Sequence, residues 1–293
     1  MRHWTNILVA ALLASLAAPA SAQFGGLEKL LPAKITENKA VKALIDNKDN
    51  LANATKEPTE AEEIAIGDEF AATLLGAKPL DPDARLQRYV NVLGLWLAQQ
   101  TERPDLPWAF GVLADPGFNA FATPGGRIFV TRGLVDRMRN EAELAGVLAH
   151  EIAHVLKKHH LNAVRTGGVT GIAAYFAEQK AASTRYGELK TALLGNIRNI
   201  FAKGLDKSDE FEADRMGIVI AARAGFDPYG LPAVLQMLQT RSGEDGAFSL
   251  LFKTHPAPAA RIEMLERLMD QRFEGLALST GKTVAERLNE FGK

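Results

Sequence analysis

Five residues, His150-Glu151-Ile152-Ala153-His154, constrain this chain more than any other stretch. They stand inside a segment, 140–162, whose spacing predicts a helix. Asn140 with Glu143 three residues on is a capping-box start, and Lys157, Lys158, His159 and His160 put positive charge near the C-terminal end, where the helix dipole favours it. At about 100° per residue the two histidines lie about 40° apart on one face, one turn from each other. Imidazoles so placed can grip one tetrahedral zinc ion. Glu151 sits beside them, off the metal, where it can take a proton from a metal-activated water.

The alternative is a set of ordinary polar residues on a solvated face, and the neighbours argue against it. Leu144, Val147, Leu148, Ile152 and Val155 cover one broad side, while Ala142, Gly146, Ala149 and Ala153 form a small-residue strip on the other. A helix apolar nearly all round is buried, and buried His and Glu are costly without partners. A metal supplies one. Zinc held by two histidines needs a third protein ligand and an open position for water. Downstream, Ser208-Asp209-Glu210-Phe211-Glu212-Ala213-Asp214-Arg215 opens another helix, with Asp206 or Ser208 as its cap and Gly225 beyond its end. Glu210 and Asp214 are four apart, so Glu210 can ligate zinc while Asp214 accepts the N–H of a ligating histidine from behind. Glu212, about 200° round from Glu210, should face away. An acidic first turn complementing the dipole also explains Asp209 and Glu210, but explains Asp214 much less well. His159 and His160, turned by about 160° and about 100° from the zinc face of an ideal helix, read as plain C-terminal helix residues.

Ahead of this helix the period changes. Helical patterns run from Thr59 to about Gly76 and, after Pro79-Leu80-Asp81-Pro82, to about Thr101, with Leu86, Val90, Leu93 and Leu97 on the core face. Trp108–Leu113, Asn119–Ala122 and Arg127–Val130 read as strands, the last two joined around Pro124-Gly125-Gly126, and Thr131 then caps a short helix through Arg139. An exposed edge of such a sheet can hold an extended peptide as one more strand, though the hairpin serves equally as core. Residues 165–205 read as a helical hairpin completing the core, or as a lid over the cleft.

The 293 residues, 47% hydrophobic and 24% charged, suffice for one large domain or two small ones, and a net charge of −1 gives no electrostatic case for nucleic acid. Arg2 and His3, the apolar run Ile7–Ala18 and the small-residue site Ala20-Ser21-Ala22 predict a cleaved export signal over 1–22, the run being too short for a membrane span. With no cysteine in the chain, thiolate ligands, disulfides and a lipoprotein anchor are excluded. The expected layout is a signal peptide 1–22, a loosely packed leader 23–58, a main domain 59–275 built around the metal site and a short tail 276–293. The mature chain is expected outside the cytoplasm, periplasmic in a Gram-negative source or else secreted.

His150-Glu151-x-x-His154 followed by Glu210-x-x-x-Asp214 resembles the gluzincin zinc peptidases. The wording Glu-Phe-Glu-Ala-Asp-Arg at 210–215, the run Asn119-Ala-Phe-Ala-x-Pro-Gly-Gly-x-Ile-Phe-Val-Thr-Arg-Gly-Leu134, and Thr254-His255-Pro256 with Arg261 behind it are similar to the HtpX-like and CAAX-prenyl-protease-type metallopeptidases. The resemblance spans about Ala61 to Leu268. It implies an α+β, mostly helical domain with a small sheet ahead of the zinc helix. It implies one zinc per chain on His150, His154 and Glu210, Glu151 as general base, and Asp214 behind a ligand. It implies a cleft edge along Asn119, Ala120, Phe121 and Ala122, and a histidine near the site, His255, that steadies the oxyanion or caps the zinc. Membrane-spanning relatives carry helices that have no counterpart here, and others carry a helical repeat array, whereas the tail after Met269 is too short for one repeat of about 34 residues. The expected activity is endopeptidase cleavage of unfolded or damaged exported proteins, with envelope proteins as partners. The rivals are a latent, chaperone-like or scaffold protein with a blocked site and, last, a zinc-free helical domain.

Overall fold

The computed structural model describes residues 57–163, 205–241, 245–255, 258–269, 273, 279 and 281–291. All of these except Glu57 belong to one compact unit, Pro58–Gly167 with Leu193–Lys293. The export signal, nearly all of the leader and nearly all of 165–205 lie outside the described residues.

Two helices open the unit. α1 (Glu60–Ala77) starts at a complete capping box, Thr59 Oγ1 accepting from Glu62 N while Glu62 accepts from Thr59 N at 2.8 Å. α2 (Ala84–Ala98) is capped by Asp83 and buries Leu86, Tyr89, Val90, Leu93 and Leu97, the face that the three- and four-residue spacing predicts. Then come β1 (Ala109–Leu113), β2 (Ala120–Thr123) and β3 (Arg127–Thr131), in the sheet order β1-β3-β2. β3 runs parallel to β1 and antiparallel to β2, with Gly111 opposite Phe129 on one side and Phe121 opposite Phe129 on the other. The β2–β3 link is a tight turn over Pro124–Gly126. Gly125 there has φ 73°, and a Cβ on it would lie 2.6 Å from Ile64 Cα, so both conformation and space demand glycine.

The sheet has two edges with different neighbours. Along β1 the Gln87 side chain accepts from Val112 N and donates to Val112 O, Asn91 accepts from Phe110 N, and Asp81 N donates to Val112 O. That edge is filled. On β2, Thr131 N donates to Asn119 O, which sets the antiparallel alternation and turns the backbone groups of Ala120 and Ala122 away from β3.

α3 (Arg132–Val135), capped by Thr131, is shorter than the helix through Arg139 expected from sequence. α4 (Glu141–Leu156) follows, all sixteen of its residues buried. Asn140 accepts from Glu143 N as expected, but the Glu143 carboxylate reaches past the cap to Arg139 N and Nε, so the capping box is only half formed. The predicted helix over 140–162 is corrected here. It stops at Leu156, Lys158 adopts a left-handed φ of 56°, and a separate helical turn takes over at 159–163. Lysine is rarely found in that conformation; here Lys158 Nζ lies 3.5 Å from the buried Glu63 carboxylate and Lys157 pairs with Glu212 at 2.8 Å.

α5 (Lys207–Arg223), α6 (Gly230–Gln239), α7 (Ser249–Thr254) and α8 (Pro258–Met269) close over α4. The segment read as a tail contains α9 (Val284–Phe291), whose Arg287 meets the buried Glu141 carboxylate at 2.9 and 2.7 Å while Glu141 N donates to Lys282 O. The fold is thus mostly helical with a three-stranded sheet ahead of the metal-site helix, as expected. Among the described residues no helix is long and apolar enough to cross a membrane.

Candidate metal centre

α4 carries His150 and His154 one turn apart with their Nε2 atoms 3.0 Å from each other. α5 brings Glu210 to the same point, one carboxylate oxygen 3.7 Å from His150 Nε2 and the other 3.6 Å from His154 Nε2. What allows this is close packing of the two helices. A Cβ on Gly217 would lie 3.0 Å from His150 N, so a larger residue there would hold α5, and Glu210 with it, away.

The three donors fit zinc. A tetrahedral ion bonded at about 2.1 Å separates its ligand atoms by about 3.4 Å, which the three distances bracket. All three side chains are buried, and with His255 they form a group whose four donor atoms lie within 4.8 Å of one another. The protonation of His154 and Glu210 also suits a cation. Burial, and then His150 beside it, push the His154 imidazole well below its usual value, so it stays neutral. Burial alone would raise Glu210, but His255 and Arg261 outweigh it and bring the carboxyl down to about 2, so it stays ionised.

Each ligand is held from behind. His150 Nδ1 lies 3.0 Å from Asp214 Oδ1, one turn along α5 from Glu210. Asp214 is clamped by Arg261 of α8, whose Nε and Nη2 donate at 2.8 and 2.6 Å, while Nη1 reaches Glu210 at 3.0 Å. His255, at the end of α7, places Nδ1 3.0 Å from Glu210 Oε1 and Nε2 3.7 Å from Glu151 Oε1. Burial disfavours a charged His255, yet the Glu210 carboxylate, seconded by Glu151, carries its pKa above the usual value. Glu151 is buried with Oε2 lacking a hydrogen-bond partner among the described residues, and burial raises its pKa against the opposing pull of His255 and His150. Beside it lies a cavity of about 30 Å³, walled by Phe118, Ala120, Val147, Leu235 and His255. That volume takes a water or two.

The sequence-predicted residues therefore converge, with Asn119, Ala120, Phe121 and Ala122 differing among themselves. All four are buried; Ala120 borders the cavity, whereas Phe121 packs with Ala71, Leu113 and Phe129 on the other side of the sheet. Three contributors escaped the sequence reading. Arg261 was seen only as part of a motif. A sign was available, because it occupies one stripe with Leu265 and Met269, and an arginine on a buried stripe needs a carboxylate. On ideal-helix angles His159 and Glu212 face away from the metal. The break at Lys158 returns His159 to the site, its Nδ1 2.9 Å from His154 Nδ1 and its Nε2 3.3 Å from Glu212. Glu212 does point away from Glu210, yet it is joined to the site through His159. No residue between Leu156 and His159 announces the break in sequence.

Two histidines one turn apart on a buried helix, the glutamate that follows the first of them, and a carboxylate from a second helix define a zinc metallopeptidase of the gluzincin type. The chain belongs to peptidase family M48, whose model matches residues 82–269. It is 30% identical over 243 residues to the β-barrel assembly-enhancing protease of Escherichia coli (79% of this chain, 50% of the relative), and 33% identical over 212 residues to the protein of that name from Yersinia pestis (69% and 42%). The mitochondrial metalloendopeptidase OMA1 of Schizosaccharomyces pombe is 30% identical over 187 residues (64% and 51%). The chain thus spans about half the length of the curated relatives it matches.

Proposed function

We propose that this chain is an endopeptidase that cleaves unfolded or damaged exported proteins, with His150, His154 and Glu210 holding the zinc and Glu151 as general base. The observation that carries this reading is the buried Glu151 oxygen, unpartnered among the described residues, beside three converging ligand atoms. When bound, zinc supplies a Lewis acid that polarises a carbonyl and acidifies water. Glu151 takes the proton of the attacking water and returns it to the leaving amine; burial, by raising its pKa, makes both transfers accessible. His255 Nε2, on the Glu151 side of the site, donates to the developing oxyanion. Asp214, fixed by Arg261, keeps His150 oriented. The outer backbone of β2 at Ala120 O and at Ala122 receives the substrate as an added strand, Ala120 N being engaged by Asn119 Oδ1 at 3.0 Å, with Asn119 and Phe121 keeping β2 in place. The Ala20-Ser21-Ala22 site supports export with cleavage before Gln23, hence a mature chain beginning at 23 with its peptidase domain over 59–275. The bacterial relatives are named for enhancing β-barrel assembly, which makes unassembled β-barrel proteins the first natural substrates to try.

One observation favours a second reading. His255 supplies a fourth donor, and structural zinc sites have four protein ligands. In that reading the chain is latent, or acts as a chaperone-like or scaffold protein of the cell envelope.

Digestion of casein by the full chain beside Glu151→Gln decides between them. Cutting by the native chain alone, stopped by a chelator, supports the peptidase. Zinc bound without cutting by either, followed by activity in His255→Ala, supports latency. Equal cutting by both chains overturns Glu151 as the base.

A further inference from the structure

The two zinc-facing imidazoles are backed differently. His150 Nδ1 meets a carboxylate, Asp214, whereas His154 Nδ1 meets a second imidazole, His159 Nδ1, at 2.9 Å. Two ring nitrogens this close share one proton, so one donates and the other accepts. Chemistry fixes the direction. A histidine that presents Nε2 to a metal has its proton on Nδ1, so His154 is the donor. His159 must then carry its own proton on Nε2, which faces Glu212 Oε2 at 3.3 Å, with Asp209 Oδ1 at 3.7 Å. Lys157 anchors the other Glu212 oxygen at 2.8 Å. His159 is buried, while the Glu212 side chain keeps 37% of its surface exposed, so the chain runs from the metal site to solvent. The left-handed turn at Lys158 makes this possible by ending α4 and bringing the next helical turn back toward His154.

We infer that His159 is a positioning residue of the metal centre: it accepts the Nδ1–H of His154 and passes its own Nε2–H to Glu212, fixing the tautomer and rotation of His154. The inference rests on His154 being a zinc ligand, and the experiment separates the two statements. Zinc affinity is measured by chelator competition on the full chain, for wild type, His154→Ala, His159→Leu and His159→Asn. Loss of a partner behind a ligating histidine weakens binding about 10- to 100-fold, which is the drop expected for His159→Leu. His159→Asn, whose amide oxygen can replace the Nδ1 acceptor, recovers most of that loss, which a merely space-filling role would not produce. Nitrogen-15 histidine spectra of the zinc-loaded wild-type chain show His159 protonated on Nε2 and not on Nδ1. A Nδ1–H tautomer at His159, or wild-type affinity in a folded His159→Leu, overturns the inference. The spectra decide the matter if that variant does not fold. Undiminished affinity in His154→Ala, or no zinc binding by the wild-type chain, overturns the ligand assignment and this inference with it.

Discussion

Replacing Asp214 with alanine leaves the Arg261 guanidinium, 4% exposed, without its two-point partner. Removing one member of a buried ion pair costs about 3–5 kcal/mol, because the remaining charge stays desolvated. Arg261 keeps one contact here, Nη1 to Glu210 at 3.0 Å, so the lower part of that range, about 3 kcal/mol, is expected for the metal-free chain. Replacing Arg261 by methionine in the same chain removes the stranded cation and fills its volume with apolar atoms. The double variant should then be more stable than Asp214→Ala alone, with a coupling of about 2 kcal/mol. Urea denaturation of the metal-free wild type, both single variants and the double variant measures all four corners, and keeping zinc out confines the reading to the ion pair. A loss below about 1 kcal/mol for Asp214→Ala, or strict additivity of the two substitutions, would refute the reasoning.

Three further outcomes are expected. Free zinc at about 100 times its dissociation constant should raise unfolding free energy by about 2.7 kcal/mol, and His154→Ala should abolish that increment in the same denaturation series; an equal increment in the variant would contradict the site. Gly217→Ala forces a Cβ to within 3.0 Å of His150 N. Overpacking of about 1–3 kcal/mol offset by about 1 kcal/mol of helix propensity leaves a net loss of about 1 kcal/mol. Because α5 must move, zinc affinity should fall as well, and an unchanged affinity by chelator competition would show that the helices accommodate the methyl group. Arg287→Ala takes from the buried Glu141 its only side-chain cation among the described residues while Tyr89 and Lys282 N still donate to it. A loss of about 1–2 kcal/mol by thermal or urea unfolding is expected, and no loss would mean that α9 contributes nothing to α4.

Much of the site follows from helix periodicity alone. His150 with His154, and Glu210 with Asp214, share faces because residues four apart in any α-helix do, and the apolar surroundings of the first pair require burial wherever the helix packs. The strand–turn–strand ahead of α4 was equally local, since Gly125 and Gly126 mark a turn that other residues cannot make. For Arg261 the stripe announced burial but not the partner, Asp214, which lies on another helix. His255 is brought to Glu210 across 45 positions of chain, a separation that no local pattern spans.

The same division explains His159. On an unbroken helix it faces away from the zinc, and the residues themselves give no reason to break it. The stop at Lys158 accompanies contacts to Glu63 on α1 and Glu212 on α5, both remote in sequence. Likewise, strand propensity predicts two sheet edges without choosing between them, and it is Gln87 and Asn91 of α2 that fill the β1 edge. Which side chains share a helix face is a property of the backbone's own period. Which helices meet, where one of them stops and which edge is filled by another element's side chains depend on burial and hydrogen bonding between distant segments, and those exist only after the chain has packed.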